Sequence, residues 1–401
     1  MSGRLRLIVT AGAIAGITLI LYGTRLGPPP PLSSDEAALY AHAQSLASSG
    51  RDTAGRIAPL FFQTSEEAWL QPIPVYSTAA VLAVTSTAEW GARFSTARVA
   101  ALSALLIYLI GRRLFRRESL AISCSALLAL TPALFAHARI AGDGPYPLPF
   151  VLVWLYCLLA FRDRPRTWLL VIAGVALGLG VYSQPGAPIT MAFLAVITVP
   201  ALRASGHLTL RTLMGFAAGF VLPLLVMVPW FISHPETYRD TMGRWAILQA
   251  HIRFPLDGLR AFVNWTTLGM RASFYWGFFD PSWLFFSGAD RAGVLRGAAP
   301  LLWPLAVLVP LGFSLIVKVS ESATRILLTG GLLIAPMAAA TLGVPHNIGQ
   351  AMTVIPFAVL LAGFGILRVL SATSPVWRTI GLAVIALVPI QFAYFYVRYF
   401  S

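Results

Sequence analysis

The chain has little charge and almost no lysine. Charged residues make up 11% of its 401 residues, and Lys318 is the single lysine. A soluble domain usually has about 25% charged and 45–50% apolar residues, whereas 57% of this chain is hydrophobic. Cysteine is also scarce, because only Cys124 and Cys157 occur, and both lie inside apolar runs. These shortages exclude a soluble globule, a disulfide framework and a cysteine metal site.

Apolar runs occur along the whole chain, and most approach the roughly 20 residues that cross a bilayer as a helix. We therefore predict an all-α integral membrane protein with about eleven transmembrane helices in a single domain, residues 1–401. The first run follows Arg4 and Arg6 without a small-residue cleavage site, so we expect an uncleaved helix. The predicted spans are Leu7–Tyr22, Ala97–Leu114, Leu120–Phe135, Leu148–Phe161, Trp168–Tyr182, Ala187–Leu202, Leu213–Ile232, Leu301–Val317, Ile326–Val344, Ala351–Leu367 and Ile380–Tyr396.

The formal charge of +14 comes almost entirely from arginines in short clusters between the apolar runs. Such clusters set the orientation of a membrane protein, so the basic charge does not indicate nucleic-acid binding. With a cytoplasmic N-terminus, nearly all short basic connections fall on the cytoplasmic side. These connections hold Arg112, Arg113, Arg116, Arg117, Arg162, Arg164, Arg166, Arg203, Arg211, Lys318, Arg325, Arg368 and Arg378.

Two connections are much longer than the others, at residues 27–96 and 233–300, and both fall on the outer side. Loops longer than about 12–15 residues are usually functional or disordered. Tryptophans recur in both loops, and Asp35–Ser48 is compatible with a helix. This composition favours helices that lie along the membrane interface. The apolar but interrupted segment Pro74–Trp90 is predicted to be re-entrant or interfacial.

The predicted topology leaves twelve of the fifteen acidic residues on the outer side. Asp35 and Glu36 follow Ser34 at the start of the first long loop. They could be the first turn of a helix that is capped by Ser34 or Ser33, where carboxylates interact favourably with the helix dipole. The same position suits a carboxylate that takes a proton from an acceptor hydroxyl. Both interpretations are compatible with the sequence.

Arg139 and Asp143 lie in the short outer loop between the third and fourth spans. Their spacing of four residues allows an ordinary ion pair on one helical turn. Alternatively, Asp143 approaches the acids of the first loop while Arg139 binds a phosphate. The large outer loop adds further groups that could hold a lipid phosphate, namely His234, Arg239, Arg244, His251, Arg253 and Arg271.

An ordered set of short motifs resembles a known family. The segments are Asp35-Glu36-Ala37-Ala38-Leu39-Tyr40, Gly50-Arg51-Asp52, Trp69-Leu70-Gln71-Pro72-Ile73-Pro74-Val75-Tyr76, Ala97-Arg98, Ala138-Arg139 to Asp143, His234-Pro235 and His251-Ile252-Arg253-Phe254. In this order they resemble the C-type (GT-C) multi-spanning glycosyltransferases that use polyprenyl-phosphate sugars. That group includes the protein O-mannosyltransferases and the bacterial lipid A aminoarabinose transferases.

The resemblance implies a glycosyltransferase of the bacterial inner membrane, with its active site on the extracytoplasmic side. It implies that Asp35 is the catalytic base, with Glu36 beside it and Asp143 as the second acid. The donor would be a polyprenyl-phosphate-linked sugar, and the acceptor a lipid, glycan or protein hydroxyl that attacks with inversion. Leaving-group phosphate would be stabilised by Arg139, Gln71, His251 and Arg253. No C-terminal soluble domain is expected.

Some positions depart from the family pattern. Leu70-Gln71 stands where the aminoarabinose-transferase branch has a charged pair, and His346-Asn347-Ile348-Gly349-Gln350 stands where many relatives have an arginine. Metal dependence is left open, since outer carboxylates and His251 could hold a divalent cation. The alternatives are a lipid or glycan transporter, a non-catalytic partner in envelope assembly, and a ligase or polymerase of pyrophosphate-linked glycans. Nearly charge-free spans disfavour a transporter, whose polar groups typically lie near the bilayer midplane.

Overall fold

In its described residues the protein is a bundle of helices with a short hairpin. A computed structural model describes residues 3–26, 32–65, 68–85, 89–245, 256–257, 260, 264–287, 294–319 and 321–401. Its helices up to the large loop are α1 Gly3–Gly23, α2 Ser34–Ser49, α3 Pro72–Thr85, α4 Glu89–Phe115, α5 Glu118–Ala129, α6 Pro132–His137, α7 Pro147–Asp163, α8 Thr167–Gly180, α9 Ala187–Ala204, α10 Leu210–Leu224, α11 Met227–Ser233 and α12 Pro235–Trp245. The remaining helices are α13 Trp265–Gly277, the π-helical α14 Ser282–Phe286, α15 Leu305–Val319, α16 Ser322–Ile334, α17 Met337–Thr341, α18 Val354–Leu370 and α19 Pro375–Phe400.

The predicted fold class, an all-α integral membrane protein, is confirmed. In the described part of the chain, six helical stretches are long and apolar enough to cross a membrane, and five shorter apolar helices accompany them. Each of the eleven predicted spans coincides with a helix or with two consecutive helices, such as α5 with α6. The number of crossings, the single-domain assignment and the boundaries of the outer loops stay predictions.

The arginine clusters meet at one end of the bundle. Arg113 at the end of α4 contacts Asp163 at the end of α7, with 2.5 Å between Nη1 and Oδ2. Arg162 in turn reaches Glu321 before α16, with 3.4 Å between Nε and Oε2. The connections after α4, α7 and α15 therefore lie side by side, as the charge pattern predicts for a common cytoplasmic face.

The opposite end carries the first long loop. There, β1 (Phe62–Ser65) and β2 (Ala68–Leu70) form an antiparallel hairpin in which Phe62 pairs with Leu70. Helix α2 packs on α3 through a small core that contains Leu39, Val75 and Leu82. The indole Nε1 of Trp69 donates to Asp240 Oδ2 over 2.9 Å, which joins the first outer loop to α12 of the second.

Small residues let α15 and α18 cross with their backbones almost in contact. A Cβ added at Gly365 would lie 2.1 Å from the carbonyl oxygen of Leu308, and one at Gly312 would lie 1.8 Å from that of Leu361. Membrane helices lack a hydrophobic force between them, so close backbone packing of this kind is a main source of association. The two glycines therefore fix the distance between these helices.

We expect Gly312→Ala to destabilise the protein by about 1–3 kcal/mol, because the added methyl forces α15 away from α18. The matched control is Gly12→Ala in α1, where an added Cβ meets nothing within 4 Å. Thermal unfolding in detergent measures both variants. A Gly312→Ala protein as stable as the Gly12→Ala protein would contradict this packing.

Candidate active site

Helix α2 begins with a capping box that sets the position of the first acidic pair. Ser33 is the N-cap, and its Oγ accepts a hydrogen bond from the Glu36 backbone N over 3.3 Å. The Glu36 carboxylate accepts one in return from the Ser33 N over 3.1 Å. This reciprocal pattern satisfies two of the orphan N–H groups at a helix start. The sequence prediction of a capped helix is confirmed, and Asp35 lies in its first turn.

Glu36 also ties α2 to two distant parts of the chain. Its Oε1 accepts a hydrogen bond from the Ala141 backbone N over 2.8 Å, and it forms an ion pair with Arg93 of α4 at 3.1 Å from Nε. Both side chains of the pair are buried. Since Ala141 belongs to the loop after α6, Glu36 holds the start of α2 against the segment that contains Asp143.

These contacts keep Glu36 ionised. Burial alone would raise its pKa, but the hydrogen bonds from Arg93, Ala141 and Ser33, with the Arg93 charge, lower the pKa below its usual value. A carboxylate with so many donors is a poor proton acceptor. In this structure Glu36 holds the start of α2 in place, and its predicted place among the catalytic acids stays untested.

Asp35 differs from Glu36 in the number of groups that contact its carboxylate. Its side chain is exposed, and within the described part of the chain its carboxylate has no hydrogen-bond or ion-pair partner. The capping box and the Glu36 contacts hold the backbone on which it sits. A carboxylate with free acceptor sites on a fixed backbone can accept a proton from a bound hydroxyl.

Asp143 lies within electrostatic reach of Asp35. Burial, together with the nearby charge of Asp35, raises the pKa of Asp143 to about 6, although hydrogen bonds from its own backbone and from the Gln350 side chain lower it. The structure thus brings together two acids that are far apart in sequence. Gln350, one of the positions that depart from the family pattern, supplies a neutral donor to this pair.

A pair of amide side chains, Gln184 and Gln350, adjoins Asp143. The Gln184 Nε2 donates to the Gln350 backbone oxygen over 3.2 Å, which links the turn between α8 and α9 to the loop before α18. Among the described residues, the side-chain oxygens of Gln184 and Gln350 are buried and accept no hydrogen bond. Unsatisfied buried acceptors cost stability, so they indicate a place where a polar ligand or water is held. Sequence analysis missed Gln184, whose signal was a polar residue between two apolar spans.

We expect Asp143→Asn to leave the protein at least as stable as the wild type at about pH 7.5 while it lowers activity. The folded-state pKa of Asp143, about 6, lies above the unfolded value of about 3.9. Its contribution to stability is therefore fully present below about pH 4 and lost as the pH rises through about 6. Asparagine cannot ionise, so the variant does not lose this stability as the pH rises.

Thermal unfolding of both proteins over this pH range measures the effect. The advantage of the Asn variant should disappear towards about pH 4. A variant clearly less stable than the wild type at about pH 7.5 would mean that ionised Asp143 has stronger partners than its own backbone and the Gln350 side chain.

Arg139 contacts the end of α1, whereas the sequence suggested an ion pair with Asp143 or a phosphate site. Its guanidinium donates to the backbone oxygens of Tyr22, Thr24 and Arg25 at 2.9, 2.6 and 2.9 Å. It also lies over the ring of Phe400 at 4.7 Å. Arginine near a helix C-terminus satisfies the last carbonyls and complements the dipole. Arg139 therefore caps α1 in this structure, and its predicted role at a donor phosphate stays untested.

The other predicted phosphate ligands are placed as follows. Gln71 is half-buried at the end of β2, immediately before α3, and makes no hydrogen bond to either acid among the described residues. His251 and Arg253 lie outside the described residues. No group of three or more His, Cys, Asp or Glu side chains in the described ranges could hold a metal ion. The possible divalent cation that involves His251 stays open.

Comparison with known proteins shows what the chain resembles in sequence and in fold. Residues 71–232 match the dolichyl-phosphate-mannose-protein mannosyltransferase family. An undecaprenyl phosphate-alpha-4-amino-4-deoxy-L-arabinose arabinosyl transferase of Pseudomonas aeruginosa (strain UCBPP-PA14) is 31% identical over 174 residues, which cover 41% of this chain and 30% of that relative. The family match includes Gln71, Arg139 and Asp143 but begins after Asp35 and Glu36.

Solved structures share the fold at low sequence identity. ArnT from Cupriavidus metallidurans bound to undecaprenyl phosphate superposes with a TM-score of 0.60 at 13% identity, covering 98% of this chain and 71% of ArnT. The apo oligosaccharyltransferase of Archaeoglobus fulgidus gives a TM-score of 0.53 at 14% identity, covering 98% of this chain and 55% of that protein.

The chain therefore has the fold of the GT-C membrane glycosyltransferases, and the resemblance predicted from its motifs is confirmed. Within that class it is similar in sequence and in fold to the ArnT-like type. It is a multi-span membrane protein that matches less than a third of the length of its curated relative.

Proposed function

We propose that the protein is an inverting glycosyltransferase that moves a sugar from a polyprenyl-phosphate donor to an acceptor hydroxyl. The reaction takes place on the extracytoplasmic side of the bacterial inner membrane. One observation carries the proposal: the 2.8 Å bond between Glu36 Oε1 and Ala141 N fixes the exposed Asp35 beside the loop of Asp143. The ArnT-like fold and the arginine-rich opposite face support the same assignment.

In the proposed reaction, Asp35 accepts the proton of the acceptor hydroxyl. The acceptor oxygen then bonds to the anomeric carbon as the bond from that carbon to the phosphate oxygen breaks. Attack from the face opposite the leaving group inverts the anomeric configuration. The polyprenyl phosphate departs with the electron pair of the broken bond. Asp143 adds negative charge beside Asp35, which favours proton transfer towards the pair.

The donor is expected to be amphiphilic, with its chain in the bilayer and its phosphate at headgroup depth. The name of the Pseudomonas relative and the bound lipid of ArnT both point to undecaprenyl phosphate as the donor lipid. Gln71, His251 and Arg253 are the proposed phosphate ligands. Arg271 joins them as a buried cation of α13, a helix that packs on α17 near the loop of Gln350.

Reconstitution into liposomes tests the proposal. The wild-type protein should transfer labelled sugar from a panel of undecaprenyl-phosphate sugars to lipid, glycan or protein hydroxyls present on the outer side. A parallel assay measures whether the lipid-linked sugar changes leaflet without any new glycosidic bond.

Leaflet exchange without transfer would favour the transporter interpretation. The absence of both activities across the panel would favour a non-catalytic partner. Either outcome would contradict the proposed enzyme.

A further inference from the structure

A groove of about 500 Å³ opens between α15, α18 and the first half of α19. It includes the C-terminus of α18 and the start of α19. Phe364 in the second half of α18 packs on Phe115 at the end of α4, with ring centroids 4.8 Å apart, so the groove lies at the end of the bundle that carries the arginine clusters. The candidate active site is at the other end. The groove is therefore separate from the site described above.

The helix α19 makes this groove because it is packed mainly near its C-terminus. Phe392 and Phe395 pack on Phe135 with ring centroids 5.5 and 5.8 Å apart. In the first half, α19 touches α18 at Gly381, where an added Cβ would lie 2.4 Å from a Val369 methyl. Beside this contact, the first half of α19 stands away from α15 and α18, and the gap between the three helices is the groove.

One end of the groove is polar and cationic. Arg368, in the last turn of α18, lines it together with Ser371 and Ser374. Ser374 is the N-cap of α19, but its side chain accepts no hydrogen bond from the backbone N–H groups of the first turn. No aspartate or glutamate occurs among the described residues that line the groove. This end therefore suits an anionic group.

The rest of the groove is apolar, with Val307, Leu311 and Val384 along its walls. Ser374 and Val384 are ten residues apart, which corresponds to about 15 Å along a helix at 1.5 Å per residue. The hydrocarbon core of a bilayer is about 30 Å thick. The groove therefore has the length of an acyl chain in one leaflet, with its charged end at the membrane surface.

We propose that this groove binds an anionic glycerophospholipid of the cytoplasmic leaflet, with its phosphate at Arg368 and an acyl chain along α19. Charge complementarity selects the headgroup, because a zwitterionic lipid brings its own cation to Arg368. A polyprenyl phosphate bound here would lie at the end of the bundle opposite Asp35. The assignment does not depend on the proposed glycosyltransferase activity.

The test uses the delipidated full-length protein in non-ionic detergent. Phosphatidylglycerol or phosphatidylcholine is added, and retained lipid is measured by native mass spectrometry together with the unfolding temperature. The wild type should retain phosphatidylglycerol preferentially and be stabilised by it. Arg368→Gln should weaken that retention about five- to tenfold, as expected for one arginine at a membrane surface. Val384→Trp, which fills the apolar part, should abolish it.

Arg203→Gln is the matched control. Arg203 is an exposed arginine in the last turn of α9, at the same end of the bundle but outside the groove. It should behave as the wild type. Equal weakening by Arg203→Gln and Arg368→Gln would overturn the proposal in favour of general surface charge. Equal retention of phosphatidylcholine, or displacement of phosphatidylglycerol by undecaprenyl phosphate, would overturn it as well.

Discussion

Replacing Asp35 with asparagine is expected to reduce sugar transfer by about 10²- to 10⁴-fold, the usual contribution of a general base. The change keeps the size of the side chain and removes its charge. Because Asp35 is exposed and has no partner among the described residues, the fold should not depend on its carboxylate. The rate of transfer at saturating donor and the unfolding temperature measure the two effects separately.

Glu89→Gln is the control for this experiment. Glu89 is also an exposed carboxylate in the first turn of an outer-end helix, and it takes no part in the proposed chemistry. Its variant should transfer sugar at the wild-type rate. Full activity in Asp35→Asn would refute the assigned base, whereas equal loss in both variants would indicate a general effect of outer-face charge.

Sequence analysis predicted the features that depend on neighbouring residues. The spans follow from runs of apolar residues, and the start of α2 follows from a capping serine and the acidic first turn. In the structure α2 ends at Gly50, whose φ is 70°. Capping boxes and left-handed C-caps are encoded within a few residues. The hairpin between α2 and α3 was not predicted, because its strands are only four and three residues long.

The features that depend on distant residues could not be predicted in this way. Arg139 and Asp143 suggested an ion pair or a phosphate site, yet Arg139 caps α1, more than a hundred residues earlier. Nothing local to Arg93 indicates that Glu36 is its partner. The contact between Asp143 and Gln350 likewise requires the loops before α7 and α18 to meet. Such pairs become visible only when the helices are packed.

Glu36→Gln is expected to cost about 3–5 kcal/mol of stability, the usual penalty when one member of a buried ion pair is removed. The amide cannot neutralise Arg93, and it weakens the acceptors for Ala141 and Ser33. Transfer should also fall, since the start of α2 is no longer held against the loop of Asp143. The low pKa of Glu36 adds a pH dependence. Its contribution is present above the unfolded pKa of about 4.3 and is lost as the pH falls through the lower folded value.

Glu321→Gln is the matched control, because it removes a carboxylate from an ion pair in which the Glu321 side chain is 70% exposed. An exposed pair contributes about 0–1 kcal/mol, so this variant should unfold close to the wild type. The double variant Glu36→Gln with Arg93→Met should recover part of the lost stability, because it removes the buried charge along with its partner. If the double variant is instead less stable by the sum of the two single losses, the pair is not coupled. Glu36 would then hold α2 only through its backbone contacts at Ser33 and Ala141.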